Sequence, residues 1–303
     1  MDLRVHRDLA RGITAIENGY ASFADAAATL PARENGRQAF VVGVTGPPGA
    51  GKSTLVDRLI EKFRAAGETV AVVAVDPSSP FTHGAVLGDR VRMQRHSGDT
   101  GVFIRSMASR ESGGGLAPST HDAVALAARA GFEVIIVETV GVGQVELEVV
   151  AVADVVVVVT VPALGDSVQT IKAGLTEIAD LFIVNMADRP GANRTAVDLK
   201  HMVRESRRDI AVLQTVASDG TGIDDVMLAL ASARASESTN AERAVRFEVV
   251  RNIRDAAVRR ALAVLDDAQG RSVLERLRAG ELTRSEAREE LLVYALPEVI
   301  NAD

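Results

Sequence analysis

The stretch 46-GPPGAGKS-53 follows the apolar run 39-AFVVGV-44 after a single threonine, and together they are the strongest structural signal in the sequence. Glycines at these positions let backbone N–H groups turn inward around the α- and β-phosphates, while Lys52 reaches the β- and γ-oxygens and the Ser53 hydroxyl joins a Mg²⁺ shell. A helix predicted from about Lys52 to Ala66 points its positive dipole end at those phosphates. The pattern predicts a P-loop for a nucleoside triphosphate, and the expected nucleotide-binding residues are Gly46, Pro47, Pro48, Gly49, Ala50, Gly51, Lys52, Ser53 and Thr54.

The bulk composition excludes several classes of protein. The chain has 303 residues, a net charge of −7, 47% apolar residues and no cysteine. The negative charge argues against a non-specific nucleic-acid binder, and the missing cysteines exclude disulfides and thiolate metal sites. The longest apolar run, 149–161, is too short to span a bilayer, and the charged N-terminus has no signal-peptide core. We expect a cytoplasmic protein with neither a membrane nor a nucleic-acid partner.

Apolar runs of strand type alternate with helical patterns along most of the chain. This alternation predicts an α/β fold, namely a P-loop NTPase G domain with a mostly parallel, doubly wound sheet. In such sheets the ligand lies at the carboxyl ends of the strands. The predicted strands are 39–45, 69–75, 101–104, 132–138, 155–161, 181–185 and 210–216. The predicted domains are an N-terminal helical extension at 1–37, the G domain at 38–236 and a C-terminal helical arm at 237–303.

The C-terminal arm is rich in arginine and acidic residues, with apolar positions at helical spacing. Thr283 and Glu286 form the sequence pattern of a capping box, which predicts a helix start there. The apolar stripe of the arm needs a surface to pack on, so we expect the arm to pair two copies of the chain in a homodimer.

Two acids follow the second predicted strand and its loop. Asp76 ends the run 70-VAVVAVD-76, and Asp89 lies where a switch loop would become a helix. An acid at a strand end that faces a P-loop is a candidate to bind Mg²⁺ or to position water. The alternative for Asp76 is a turn-stabilising aspartate before proline. The alternative for Asp89 is a helix N-cap or a surface acid.

The run 132-FEVIIVETVGVGQ-144 places an acid at the end of an apolar strand. This is the Walker B arrangement, in which Glu138 holds Mg²⁺ directly or through water. Gly141 then completes an E-x-x-G version of the D-x-x-G turn, whose glycine N–H can sense the γ-phosphate. A plain strand followed by a glycine turn is the alternative.

A base-recognition pattern follows at two later strand ends. Asn185 and Asp188 match the N-K-x-D motif of GTP-binding proteins, in which the Asp carboxylate accepts hydrogen bonds from N1–H and the 2-amino group of guanine. Adenine cannot make this pair, and a site built on such bonds discriminates strongly. The loop near Ala217 and Ser218 could donate a backbone N–H to the guanine O6. The order of these motifs is that of a G domain.

The chain resembles the MeaB/ArgK (human MMAA-type) P-loop GTPases, which act as chaperones for adenosylcobalamin-dependent acyl-CoA mutases such as methylmalonyl-CoA mutase. The resemblance is close over about residues 5–230 and is looser in the tail. It is carried by the stretches GPPGAGKST, VAVDPSSPFTHGAVLGDRVRM, FIRSMASR, ETVGVGQ and VPALGDSVQTIKAGLTEIADLFIVNMAD.

The resemblance implies roles for particular residues. Asp76, Asp89 and Glu138 match the Mg²⁺ and active-site acids of the family, beside Lys52 and Ser53. The segment 165–174, with Lys172, matches a switch loop that signals the nucleotide state to the mutase. The family also implies GTP and GDP as ligands, Mg²⁺ as cofactor, a mutase as protein client and pairing of subunits through the C-terminal region.

Two positions depart from common GTPase patterns. Met186 stands where N-K-x-D has lysine, so the apolar stem is kept and the charge is lost. We expect GTP to remain preferred over ATP, with weaker binding. Val142 follows the E-x-x-G glycine where small GTPases often carry a water-orienting Gln, so basal turnover should be slow and a partner should accelerate it by ordering a switch loop.

Two other functions fit a P-loop protein. A metallochaperone GTPase for nickel usually carries clustered His or Cys, but this chain has no cysteine and its histidines are scattered. These are His6, His83, His96, His121 and His201. A kinase of a small molecule or protein would need an acceptor pocket and a catalytic base, and the sequence marks neither.

Overall fold

A computed structural model gives the structure of the protein. The residues it describes are 2–31, 38–77, 94–96, 98–109, 118–139, 149–162, 177–206 and 208–236, followed by 245, 249, 253, 256–257 and 259–295. The chain divides into two compact units, residues 1–244 and 245–303.

The first unit is an α/β structure. Its strands are β1 (Phe40–Thr45), β2 (Val70–Pro77), β3 (Val102–Ser109), β4 (Val134–Thr139), β5 (Val155–Thr160), β6 (Leu181–Val184) and β7 (Ala211–Gln214). Its helices are α1 (Leu3–Glu17), α2 (Phe23–Ala28), α3 (Lys52–Ala65), α4 (Pro118–Arg129), α5 (Ala192–Glu205) and α6 (Ile223–Ala235). Short 3₁₀ turns lie at Gln94–His96 and Val149–Ala151.

The seven strands form one parallel sheet in the order β3-β2-β4-β1-β5-β6-β7. Every residue of β1, β4, β5 and β6 is buried, as expected for parallel strands with both faces covered. The register sets Val44 of β1 opposite Glu138 of β4 and Val157 of β5. These strands therefore end side by side, directly below the P-loop.

Helices cover the sheet on both faces. Val42 and Val44 belong to one apolar cluster with residues of α3 and α6. Gly43 points the other way, because successive residues of a strand face opposite sides. A Cβ on Gly43 would lie 2.5 Å from the Val149 side chain, so the Val149–Ala151 turn packs against the opposite face. Helix α4 packs on β2 and β4, and α1 and α2 pack on α4.

The α/β fold predicted from the sequence is confirmed, but β3 continues well past its predicted end. The apolar pattern indicates β3 over 101–104, whereas the strand continues to Ser109. The part of β3 beyond Ile104 includes polar residues, among them Arg105, which pairs with Glu17 of α1. A strand at the edge of a sheet tolerates such residues, and their polarity hid the strand from the apolar pattern.

The second unit contains α7 (Ala268–Arg278) and α8 (Arg284–Ala295), which pack on one another. The predicted capping box is present, because the Glu286 N–H donates to the Thr283 hydroxyl at 3.3 Å and the Glu286 carboxylate accepts from the Thr283 N–H at 2.7 Å. Arg276 and Glu290 join the two helices through a 2.8 Å ion pair. Within the described part of the chain, no helix is long and apolar enough to cross a membrane.

Candidate nucleotide-binding site

The P-loop connects β1 to α3 at the carboxyl edge of the sheet. Gly46 has φ +135° and passes so close to β5 that a Cβ would lie 2.0 Å from the Val159 carbonyl oxygen. Gly51, with φ +83°, is equally confined, because a Cβ there would lie 2.3 Å from Nδ2 of Asn185. Both positions therefore require glycine, and the loop is held between β5 and the segment that follows β6.

Lys52 begins α3 and folds back over the loop. Its side chain is buried, and its Nζ donates hydrogen bonds to the carbonyl oxygens of Gly46 at 2.8 Å and Pro47 at 3.1 Å. The ammonium group thus lies at the mouth of the loop, beside the first turn of α3. A cation and a helix N-terminus together form a suitable environment for phosphate oxygens.

Ser53 and Glu138 meet at the start of the same helix. The Ser53 hydroxyl donates to Oε1 of Glu138 at 2.7 Å, and both residues are almost fully buried. The contact follows from the sheet register, which places Glu138 beside the strand that leads into the P-loop. A hydroxyl and a carboxylate on a shared edge are oxygen ligands of the kind that Mg²⁺ prefers, so these two residues fit that cation.

A second pair of hydroxyls joins the P-loop strand to the strand of Glu138. The Thr139 hydroxyl donates to that of Thr45 at 2.8 Å, and both side chains are buried. Thr45 directly precedes Gly46, and Thr139 directly follows Glu138. This bond fixes the end of β1 relative to the end of β4, where the site residues begin.

Asn185 connects the base-recognition segments to the P-loop. Its Nδ2 donates to the Ala50 carbonyl at 2.8 Å, and its Oδ1 accepts from the Thr215 hydroxyl and from the Ala217 backbone N–H, both at 3.1 Å. Asn185 is 3% exposed. One buried amide therefore holds the P-loop, the end of β6 and the loop after β7 in a single arrangement.

The rest of the N-x-x-D segment turns away from the sheet. Met186 has φ +57°, an uncommon conformation for a residue with a side chain, and it packs against the main apolar cluster. The Ala187 N–H donates to the Thr215 carbonyl at 3.0 Å. Asp188 is exposed at this edge, where its carboxylate can meet a base.

The structure also shows a residue that the sequence analysis missed. Arg58 of α3 donates to the backbone carbonyl oxygens of Ala217 and Ser218, at 3.0 Å for the bond from Nε to Ala217. A single arginine on an amphipathic helix looks like part of a solvated face, so no sequence signal indicated it. Arg58 links the P-loop helix directly to the loop predicted to contact the guanine O6.

Several predicted site residues either have only their backbone described or lie outside the part of the chain that the structure describes. Asp76 is placed only as a backbone position near the end of β2, beside the end of β4. The others are Asp89, Gly141, Val142 and the segment 165–174 with Lys172. Within the described ranges, no group of three or more His, Cys, Asp or Glu is arranged to hold a metal ion.

Comparisons with known proteins agree with this geometry. Residues 9–268 match the family described as methylmalonyl-CoA mutase-associated GTPase MeaB. A relative from Pyrococcus abyssi, which carries a provisional GTPase name, is 56% identical over 195 residues, or 62% of this chain and 60% of that protein. The chain thus spans less than two thirds of the length of that relative.

Two further matches are a fused enzyme and a solved structure. The fused isobutyryl-CoA mutase of Cupriavidus metallidurans is 37% identical over 204 residues, which are 66% of this chain and 18% of that protein. The crystal structure of a LAO/AO transport system kinase covers 95% of this chain and 94% of its own, with a TM-score of 0.64 and 24% identity. The structural match shows the fold alone.

Proposed function

The chain belongs to the MeaB family of P-loop GTPases, and from that premise we propose that it binds and hydrolyses GTP with Mg²⁺ and acts as a chaperone of an adenosylcobalamin-dependent acyl-CoA mutase. The binding of GTP is supported above all by the hydrogen bonds of the Asn185 side chain. They join the P-loop to both base-recognition segments through one buried side chain.

The phosphate groups would lie in the P-loop. Backbone N–H groups of the loop and of the first turn of α3 would face them, and Lys52 would exchange its bonds to the Gly46 and Pro47 carbonyls for bonds to phosphate oxygens. Bonds from an ammonium to phosphate are stronger than bonds to neutral carbonyls. The bonds to the loop carbonyls therefore already hold the Lys52 ammonium group close to the expected position of the β- and γ-phosphates.

The cation would be held by Ser53 and Glu138. Their 2.7 Å contact sets two oxygens at the phosphate side of α3. We propose Asp76 and Asp89 as the further acids of this site, as the sequence indicates. Mg²⁺ bound there would neutralise charge on the β- and γ-phosphates during transfer to water, while the role of the protein is to fix its position and exclude other water.

The base would lie between Asp188 and the loop of Ala217 and Ser218. The Asp188 carboxylate would accept from N1–H and the 2-amino group of guanine, which gives preference over adenine. Met186 contributes an apolar stem without a charge. GTP is therefore preferred over ATP, but it binds more weakly than with lysine at this position.

We propose a slow basal hydrolysis that the client accelerates. Val142 has no group that could orient an attacking water. The segment 165–174 with Lys172 is our candidate for the switch that reports the nucleotide state to the client, and Gly141 is our candidate for sensing the γ-phosphate.

The proposed client is inferred from the proteins with which the family is associated. The family is described by its association with methylmalonyl-CoA mutase, and the relative from Cupriavidus metallidurans is fused to an isobutyryl-CoA mutase. A fusion places both activities in one chain, so a separate chain of the family is expected to bind its mutase as a protein partner. We propose that it does so as a homodimer paired through the C-terminal helices.

The test is GTP turnover with and without purified mutases. Methylmalonyl-CoA mutase and isobutyryl-CoA mutase are each added to the wild-type chain and to the Lys52→Ala variant, and phosphate release and adenosylcobalamin loading are followed. We expect one mutase to raise wild-type turnover at least tenfold and to be loaded in a GTP-dependent way, with Lys52→Ala inactive in both. Turnover and loading that neither mutase changes would contradict the chaperone role, while GTP hydrolysis by itself would still support the GTPase.

A further inference from the structure

The loop after β7 forms a tight, helix-like turn with two different ends. The N–H groups of Asp219 and Gly220 both donate to the Val216 carbonyl, at 3.2 and 3.0 Å. In such a turn the preceding N–H groups point to one end and the carbonyl oxygens point to the other. The turn therefore presents the N–H groups of Ala217 and Ser218 on one side and their carbonyl oxygens on the opposite side.

The N–H side of this turn faces the base-recognition segment. The Ala217 N–H donates to Oδ1 of Asn185 at 3.1 Å, which fixes the direction in which that side points. The Ser218 N–H belongs to the same side of the turn. It is therefore the donor best placed to reach the guanine O6, since the Ala217 N–H is already bonded to Asn185.

Arg58 holds the carbonyl side. Its Nε donates to the Ala217 oxygen at 3.0 Å, and Nη2 donates to the Ser218 oxygen. A guanidinium is a planar fork of donors with a fixed charge, which allows it to hold two carbonyls in one orientation. Because C=O and N–H of one peptide unit point in opposite directions, holding the Ala217 oxygen also aims the Ser218 N–H away from α3.

We propose that Arg58 is a positioning residue for base specificity: it clamps the 217–218 carbonyls so that the Ser218 N–H meets the O6 of the guanine. This inference rests on the proposed GTP site and adds a specificity residue that none of the recognised motifs contains. A loop without this clamp would sample other peptide orientations, and the donor to O6 would be lost part of the time.

A second set of polar contacts holds the Arg58 guanidinium on the side opposite the carbonyls. Nη1 of Arg58 donates to Oε2 of Glu61 at 3.0 Å, and Oε1 of Glu61 pairs with Arg95 at 2.8 Å. Arg95 and His96 of the 3₁₀ turn also bond Asp57 on the same helix. The guanidinium of Arg58 is thus held on two sides, and the Arg58 side chain is only 27% exposed. Both features limit the conformations that the side chain can adopt.

The test compares nucleotide analogues that each remove one contact to the base. 6-Thio-GTP keeps N1–H and the 2-amino group but replaces O6 by sulfur, a weak acceptor. ITP keeps O6 and N1–H but lacks the 2-amino group that Asp188 would bind. Dissociation constants for GTP, 6-thio-GTP, ITP and ATP are measured with Mg²⁺ for the wild type, Arg58→Met and Asp188→Ala.

Both variants should weaken GTP binding, but they should differ in which analogue they spare. We expect Arg58→Met to weaken GTP and ITP about tenfold and 6-thio-GTP at most twofold, which is the loss of one well-aligned hydrogen bond. Asp188→Ala should instead weaken GTP and 6-thio-GTP strongly and ITP less. At saturating GTP the maximal turnover of Arg58→Met should stay within twofold of wild type, with the effect confined to KM.

Arg64→Met is the matched control. Arg64 lies on the same helix, is nearly equally exposed at 26%, and likewise donates to two oxygens, which in this case are those of the Asp99 carboxylate, at 2.8 and 3.0 Å. It makes no bond to the 217–218 turn in the described structure. Its affinity for all four nucleotides should match wild type within twofold.

Two outcomes would overturn the inference, and they differ in what else they overturn. If the wild type prefers guanine but Arg58→Met keeps the wild-type ratio of GTP to 6-thio-GTP affinity, the clamp is wrong and the GTP site stands. If the wild type does not distinguish GTP from ATP, both the GTP site and the clamp are wrong. If Arg58→Met does not fold, Arg58→Lys takes its place, because lysine can keep one of the two bonds. The preference of this variant for GTP over 6-thio-GTP should be about threefold smaller than that of the wild type. An unchanged preference would again overturn the clamp.

Discussion

Replacing Asn185 by alanine should destabilise the protein even without a nucleotide. The side chain is 3% exposed and makes three hydrogen bonds, to the Ala50 carbonyl, the Thr215 hydroxyl and the Ala217 N–H. The truncation removes all three and leaves buried polar groups in an apolar setting. At about 1 kcal/mol for each lost bond and its unpaired partner, the free energy of unfolding should fall by about 3 kcal/mol.

This loss is a large share of the stability of a domain, which is about 5–15 kcal/mol. The chain has no tryptophan, so urea denaturation is best followed by far-UV circular dichroism. Asn193→Ala is the control, because Asn193 is exposed and accepts a single bond from Gln214 at 3.1 Å. That variant should stay within about 0.5 kcal/mol of wild type.

The same change should also abolish nucleotide binding, since Asn185 holds the P-loop and the base loop together. A loss of less than about 1 kcal/mol for Asn185→Ala, at an unchanged denaturant slope, would show that these three hydrogen bonds do not stabilise the protein as expected. It would mean that water replaces the amide at all three partners and that the network carries little of the architecture of the site.

Other changes have similarly direct consequences. Gly46→Ala should eliminate detectable GTP binding, because the new Cβ would lie 2.0 Å from the Val159 carbonyl oxygen. Gly49→Ala should only weaken binding, because its Cβ would meet no atom within 4 Å and the cost comes from the φ of +78°. Isothermal titration calorimetry with GTP compares the two variants, and equal affinities would contradict this expectation. Burial lowers the pKa of His6. The centroid of its ring lies 5.7 Å from the ring centroids of both Phe103 and Phe132, and its Nε2 has no hydrogen-bond partner among the described residues. The unfolded chain then binds a proton more readily than the native state, so the stability from neutral His6 is present above about pH 6.5 and is lost as the pH falls through that value. Melting temperatures at pH 7.5 and 5.5 should therefore differ less for His6→Leu than for wild type, and an equal difference would show that His6 does not contribute.

The sequence was most informative where a function needs a fixed spacing. The glycines and the lysine of the P-loop are dictated by phosphate geometry, so residues 46–53 predicted the strand, the loop and the helix together. The pattern around Asn185 was recognised for the same reason. That the amide also bonds Ala50 could not be read from the sequence, because it depends on the order of the strands, in which only β5 separates β6 from β1.

Contacts between distant parts of the chain account for most of what was missed. Arg58 and Ser218 are 160 residues apart, and nothing in either segment indicates their bond. Asp154 interrupts an apolar run for a reason that only the structure shows, since its carboxylate accepts the Val41 N–H at 2.8 Å. Burial raises the pKa of that carboxyl group. Such residues cap strands of the sheet and lie away from the P-loop.

This edge of the sheet is the proposed binding site for a guanine nucleotide. The most direct measurement is the dissociation constant of GTP and of ATP with Mg²⁺, for the wild type and for Asp188→Ala. We predict that the wild type prefers GTP by at least about a hundredfold, despite Met186, and that the variant loses this preference while still binding nucleotide through the P-loop. Equal affinity of the wild type for the two nucleotides, or a preference that Asp188→Ala leaves unchanged, would contradict the account.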